Sequence, residues 1–164
     1  MARLVVVGLP GAGKTTVARA LGERLGCEVA DTDDVLAAMV GAPAPDYLRT
    51  VGEAQFRVDE VAALRASVAR DVVVSTGGGV VVTEAARAIL AGEVTVWLDA
   101  PDEVLVERVG DGDRPLLADD PPAAIAALRD RRSAWYREVS RARVNTARPL
   151  EEVVEDVLRA MMAT

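Results

Sequence analysis

Residues 8–15 read Gly8-Leu9-Pro10-Gly11-Ala12-Gly13-Lys14-Thr15 and match G-x-x-x-x-G-K-[ST] at every fixed position. An apolar run, RLVVV at 3–7, precedes them, and a helical pattern follows from about 14 to 25. Strand, glycine turn and helix together are the context this motif requires. Glycines let the backbone turn so that several N–H groups point into one cavity, and the helix N-terminus adds partial positive charge. Lysine at the seventh position reaches the β- and γ-phosphates, and a hydroxyl at the eighth can ligate Mg²⁺. Lys14 is the only lysine of the chain, against 18 arginines, so the one flexible point charge stands where phosphate needs it. A glycine turn serving packing alone would not explain that coincidence.

The rest of the composition removes other chemistries. There is no histidine, which excludes imidazole catalysis and histidine-held metals. The single cysteine, Cys27, makes neither an internal disulfide nor a cysteine-based zinc site. A formal net charge of −7 argues against a nucleic-acid partner, because neutralising phosphates needs surplus Lys and Arg. The N-terminal apolar run is far too short for a signal peptide or a membrane span. A soluble, cytoplasmic monomer is expected, folded as one domain over 1–164 around one core.

Strand and helix patterns alternate. Strands are expected at 3–7, 27–30, 72–75, 94–98 and 142–145, and helices near 14–25, 33–40, 52–69, 83–90, after Pro101, from Pro121 or Pro122 to about 140, and at 150–162. Several strands are continuous apolar runs, as in a parallel sheet buried on both faces beneath helices. The class is therefore α/β. Two stretches read as irregular, GAPAPD at 41–46 and VGDGDRPLLADDPP at 109–122. The second is long for a compact domain, which marks it as functional or mobile.

Asp31-Thr32-Asp33-Asp34 follows the second strand. In extended chain Asp31 and Asp33 project to one side, at the strand end where open α/β sheets bind ligands. One is expected near a hydrated Mg²⁺ and the other on an acceptor hydroxyl, whose proton it can take. Alternatively Thr32 or Asp33 caps the helix that begins at 34. Both readings remain open.

Placed on a wheel at roughly 100° per residue, the helix at 52–69 has an apolar face of Ala54, Val58, Val61, Leu64 and Val68. Arg57 lies near its centre and Phe56 points away. In the helix at 122–140, Arg132 lies within a stripe of Ile125, Leu128, Trp135 and Val139, flanked by Arg129 and Arg131. A guanidinium turned toward a core must be paired. Glu53 and Glu60, at i−4 and i+3 from Arg57, are internal candidates; a bound carboxylate is the other, held by two parallel hydrogen bonds. Ser75-Thr76-Gly77-Gly78-Gly79 permits either close approach of a ligand or a sharp turn. Arg114, between Gly112 and Pro115, is placed to close over ATP, and Arg108 to stack on adenine; a solvated surface role is the alternative for each.

These motifs, in this order, resemble the shikimate kinase family over nearly the whole chain: GLPGAGKT at 8–15, DTD at 31–33, GEAQFRVDE at 52–60, TGGG at 76–79, RPLL at 114–117 and RSAWY at 132–136. The resemblance implies a P-loop kinase fold with a lid loop, whose five-stranded parallel sheet, order 2-3-1-4-5, carries helices on both faces. It implies ATP and Mg²⁺ as cofactors and shikimate as the small-molecule substrate. It assigns Lys14 and the loop of Gly11, Ala12, Gly13, Thr15 and Thr16 to phosphate, and Thr15 to Mg²⁺ with Asp31 supporting through water. Asp33 holds the acceptor hydroxyls and is the base. Arg57 and Arg132 hold the acceptor carboxylate, and Gly77, Gly78 and Gly79 line its pocket. Arg114 is the lid arginine; Arg108 and the segment around Asn145 to Pro149, with Arg148, border the adenine. The acceptor-binding region falls at about 32–60 and the lid at about 109–121.

Two other readings start from the same residues. A gluconate kinase-like enzyme shares the phosphate loop and the length, but FRxxE, TGGG and RPLL together are not expected there. A non-catalytic nucleotide-binding protein would be expected to have lost Asp33, Arg57, Arg114 or Arg132, and all four are present.

Overall fold

The computed structural model describes residues 1–110 and 119–163. Five strands, β1 (Leu4–Val7), β2 (Val29–Asp31), β3 (Val73–Ser75), β4 (Thr95–Asp99) and β5 (Ala142–Asn145), form one parallel sheet in the order β2-β3-β1-β4-β5. Every residue of β1, β3 and β4 is buried. Strands covered on both faces need no polar alternation, which is why LVVV serves as β1. The chain leaves β1 between β3 and β4, so the phosphate-loop motif emerges at the middle of the sheet's carboxyl edge, where such sheets place ligands.

Among the described residues, eight helices surround the sheet: α1 (Lys14–Leu25), α2 (Thr32–Val40), α3 (Ala44–Val51), α4 (Glu53–Val68), α5 (Glu84–Ala91), α6 (Asp102–Val109), α7 (Pro121–Val139) and α8 (Leu150–Met162). A 3₁₀ turn spans Val80–Val82. Among the described residues, no helix is long and apolar enough to cross a membrane. The main core contains the strands and the inner faces of α1, α5, α6, α7 and α8. A second, smaller cluster of Leu36, Ala44, Phe56 and Ala63 holds α2, α3 and α4 together.

That second cluster corrects two expectations. The stretch 41–46 is not wholly irregular, because α3 begins at Ala44. Pro43 is its N-cap and Pro45 lies in its first turn, where a fixed φ and a missing N–H cost nothing; the prolines that suggest a loop in fact start a helix. The wheel of α4 is also rotated from the expected one. Phe56 is buried, while Val58 is 63% exposed. The cause is that α4 touches two partners, packing on the main core through Leu64 and Val68 and on α2 and α3 through Phe56 and Ala63. Arg57 falls between those two faces and is buried, as expected. In α7, Tyr136 rather than Trp135 is the fully buried aromatic.

Candidate active site

The glycines of the phosphate loop are required by backbone geometry. Gly11 and Gly13 have φ of 82° and 90°, in the left-handed region that side chains resist. A Cβ on Gly8 would lie 2.2 Å from the Leu98 carbonyl oxygen. Lys14 is the first residue of α1, and its Nζ donates to the carbonyls of Gly8 (2.6 Å) and Leu9 (3.0 Å). The ammonium thus lies over the loop.

A cavity of about 550 Å³ opens at this edge of the sheet. Gly11, Gly13, Lys14, Thr15 and Thr16 line one side of it, Asp31, Asp33, Thr76, Gly77 and Gly78 another, and Arg108, Thr146 and Arg148 a third. Nearly all of the residues expected from the sequence for nucleotide and metal are therefore brought together. Arg114 and the RPLL stretch lie outside the described residues. Arg57, Gly79 and Arg132 are buried alongside the cavity rather than in its wall.

Asp31 and Asp33 both face the cavity, but not by strand alternation. Asp31 ends β2 and is the N-cap of α2, its Oδ1 accepting from the Asp33 amide at 2.9 Å. Asp33 is already in the first helical turn. Neither Thr32 nor Asp33 is the cap; Thr32 is buried, and its hydroxyl accepts from the Gly77 amide at 3.0 Å. The Thr15 hydroxyl lies 3.5 Å from Asp31 Oδ2. Ser75, the register partner of Asp31, carries a buried hydroxyl with no hydrogen-bond partner. Burial pushes the Asp31 carboxyl above its ordinary value. This all-oxygen set suits a hard divalent cation such as Mg²⁺, which keeps several waters and takes few protein ligands.

The triple glycine is a point of close approach, not a left-handed turn, since none of the three has positive φ. A Cβ on Gly77 would lie 2.9 Å from Asp33 Oδ1, one on Gly78 3.1 Å from the Pro10 ring, and one on Gly79 2.5 Å from Arg57 Nη1. Side chains of Asp33, Pro10 and Arg57 stand close to where the missing Cβ atoms would be.

Arg57 is paired internally. It donates to Glu60 at 2.9 Å, to Glu53 at 3.4 Å and to the Gly79 carbonyl at 3.3 Å, while its buried Nε has no partner. Among the described residues Arg132 makes no ion pair. Burial lowers its pKa, and the charge of Arg57 lowers it further. Two buried guanidiniums that repel each other are a place where an anion is welcome. The buried Glu60, paired with Arg57, is raised by burial and by Asp33 and lowered by both arginines.

Two site residues are given no role of their own from the sequence, Tyr136 at the end of the RSAWY motif and Thr146. Tyr136, fully buried, donates to the Gly78 carbonyl and stacks on Trp97 with ring centroids 5.7 Å apart. Thr146 donates to the Ala12 carbonyl at 2.7 Å and accepts from Arg108 at 3.0 Å. Arg108 also donates to Gly11 and to the Thr146 carbonyl. The segment bordering the expected adenine position is thereby bolted to the phosphate loop. Arg148, nearby, is paired with Asp156 and Glu152 on α8. The Gly78 and Ala12 carbonyls lie 58 and 134 residues from the hydroxyls of Tyr136 and Thr146 that bind them, so no local pattern marks either pair.

Glu60 leads to a pH prediction. Its folded carboxyl titrates above the ordinary 4.5, so between 4.5 and the raised value the folded chain holds more protons than the unfolded one. Its contribution to stability is full below pH 4.5 and is lost as pH rises through the folded value. Glu60→Gln removes this dependence. Urea unfolding at acid and neutral pH should show the free-energy difference, wild type minus variant, falling as pH rises; a rising difference would contradict the assignment.

The shikimate kinase family model matches residues 10–162. Shikimate kinase from Salinispora arenicola is 41% identical over 162 residues, covering 97% of this chain and 97% of the relative. The structure of shikimate kinase from Acinetobacter baumannii in complex with shikimate superposes with a TM-score of 0.91 at 32% identity, covering 97% of this chain and 92% of that one. A gluconokinase from Sinorhizobium meliloti has a TM-score of 0.61 at 21% identity, a likeness of fold alone.

Proposed function

The chain belongs to the shikimate kinase family, and from that premise we propose that it transfers the γ-phosphoryl group of ATP to a hydroxyl of shikimate, giving shikimate 3-phosphate and ADP. The observation that carries this reading is one cavity with the sole lysine and the phosphate loop on one side, the Asp33 carboxylate on another, and two buried guanidiniums beside it.

In this reading the loop amides and Lys14 hold the β- and γ-phosphates, and Arg108 and Arg148 border the adenine. Arg57 and Arg132 hold the acceptor carboxylate, with Glu60 keeping Arg57 in place. Anchored there, the acceptor presents its hydroxyl to Asp33. Asp33 takes the hydroxyl proton as the oxygen forms its bond to the γ-phosphorus and the bond to the β-phosphate oxygen breaks, releasing ADP. Thr15, with Asp31 acting through water, would hold Mg²⁺, which when bound neutralises charge on the phosphates. Arg114, from the lid at about 109–121, adds charge to the migrating group. The acceptor-binding region at about 32–60 corresponds to α2, α3 and the start of α4, the part with its own small core. The protein acts as a single cytoplasmic domain and a monomer, with no nucleic-acid partner.

A coupled assay of ADP release with shikimate, with gluconate and with no acceptor tests the proposal. Turnover dependent on shikimate is expected. Turnover with gluconate but not shikimate, or equal ADP release without acceptor, would overturn it.

A further inference from the structure

The turn at 77–79 is held from several directions. The Thr32 hydroxyl takes the Gly77 amide, the Pro10 ring abuts Gly78, and the Arg57 guanidinium lies against Gly79. A further hold comes from α7, whose Tyr136 hydroxyl donates to the Gly78 carbonyl. That phenol is fixed: it has no solvent exposure, and its ring stacks on Trp97 at an interplanar angle of 27°. One helical turn earlier, on the same buried face of α7, stands Arg132. A single helix face therefore carries both a guanidinium of the acceptor pocket and the hydroxyl that fixes the pocket's glycine wall.

We propose that Tyr136 is a positioning residue for the acceptor, its hydroxyl tying the Gly78 carbonyl to α7 so that Arg132 and the glycine turn form one rigid unit. The role rests on the reading that Arg57, Arg132 and the turn receive the acceptor. It follows from three facts: glycines leave this stretch without side chains to pin it, the Gly78 carbonyl has a buried donor, and Gly78 lines the cavity shared with the phosphate loop. Arg132 also acts on the phenol by charge and hydrogen bonding, while burial dominates and pushes the phenol up to about 12. The phenol therefore stays a neutral donor across the working pH range.

Tyr136→Phe keeps the ring and its stack and removes only the O–H. It should raise KM for shikimate roughly tenfold, the scale of one lost hydrogen bond, while kcat and the KM for ATP stay within about threefold. A tyrosine that only stabilised the fold would lower Tm and leave the shikimate KM within twofold of wild type, and that result overturns the proposal. Arg132→Lys, measured in parallel, separates the two readings. If it raises the shikimate KM and Tyr136→Phe does not, the pocket stands and the role of Tyr136 falls; if neither changes KM, the pocket reading falls with it. Should the phenylalanine variant fail to fold, para-aminophenylalanine at position 136 returns an N–H donor. The proposal expects it to bind shikimate with near wild-type KM, and a KM raised tenfold despite the restored donor overturns it.

Discussion

Lys14→Ala should lower kcat by roughly a thousandfold or more, the scale on which single positive groups act in phosphoryl transfer. The reaction offers little covalent chemistry to the protein, so positioning and charge carry the catalysis. Lys14 is the first residue of α1, and its Nζ lies over the loop at 2.6 Å from the Gly8 carbonyl. From there it can follow the γ-phosphoryl group as charge moves. No other lysine exists in the chain to replace it. Among the described residues, the arginines that line the cavity already have partners, Arg108 with Gly11 and Thr146 and Arg148 with Asp156 and Glu152. Steady-state ADP release at saturating ATP and shikimate reads the effect; a variant within tenfold of wild type would remove Lys14 from the mechanism.

Asp33→Asn should lower kcat by about a hundredfold to ten-thousandfold, the usual range for a positioned general base, with the KM for ATP within about threefold. Asparagine keeps the size of the side chain and its place in the first turn of α2, so the cavity survives while the proton acceptor is lost. With no histidine in the chain, a carboxylate is the natural base. Asp33 lines the cavity and packs against Gly77, whose missing Cβ leaves room for its Oδ1. Asp31 is committed differently, capping α2 and lying 3.5 Å from the Thr15 hydroxyl. A near wild-type kcat in Asp33→Asn would remove it as the base.

What could be seen in advance is what the chain writes locally. The phosphate loop is an uninterrupted eight-residue pattern between a strand and a helix, and its backbone demands at Gly11 and Gly13 are met as the pattern requires. Arg57 and Arg132 stood out because a charge on an otherwise apolar helix face needs a reason, and both are buried. The wheel that exposed Arg57 was nevertheless misplaced by Phe56 and Val58. A helix wedged between two cores has no single apolar stripe, and α4 is such a helix. The prolines around Ala44 concealed α3, because the same residue that breaks a helix interior begins a helix.

Long-range contacts were invisible for a different reason. The Tyr136 bond to Gly78, the Thr146 bond to Ala12 and the register of Ser75 beside Asp31 come from the order of the sheet, in which β3 lies between β2 and β1 and β1 between β3 and β4. The resemblance to a known family supplied that order; composition and periodicity did not. The triple glycine lies between these cases. Its sequence announced close approach, but not that Asp33, Pro10 and Arg57 are the groups that approach.

The central claim is that a carboxylic acid is held by buried guanidiniums while its hydroxyl meets Asp33. The most direct measurement compares kcat/KM for shikimate with that for shikimate methyl ester, which keeps the ring and hydroxyls and masks the carboxylate. The ester should be used at least about a hundredfold less efficiently, because a pocket built to pair a charge rejects an acceptor that lacks it. Equal turnover of acid and ester would contradict the claim.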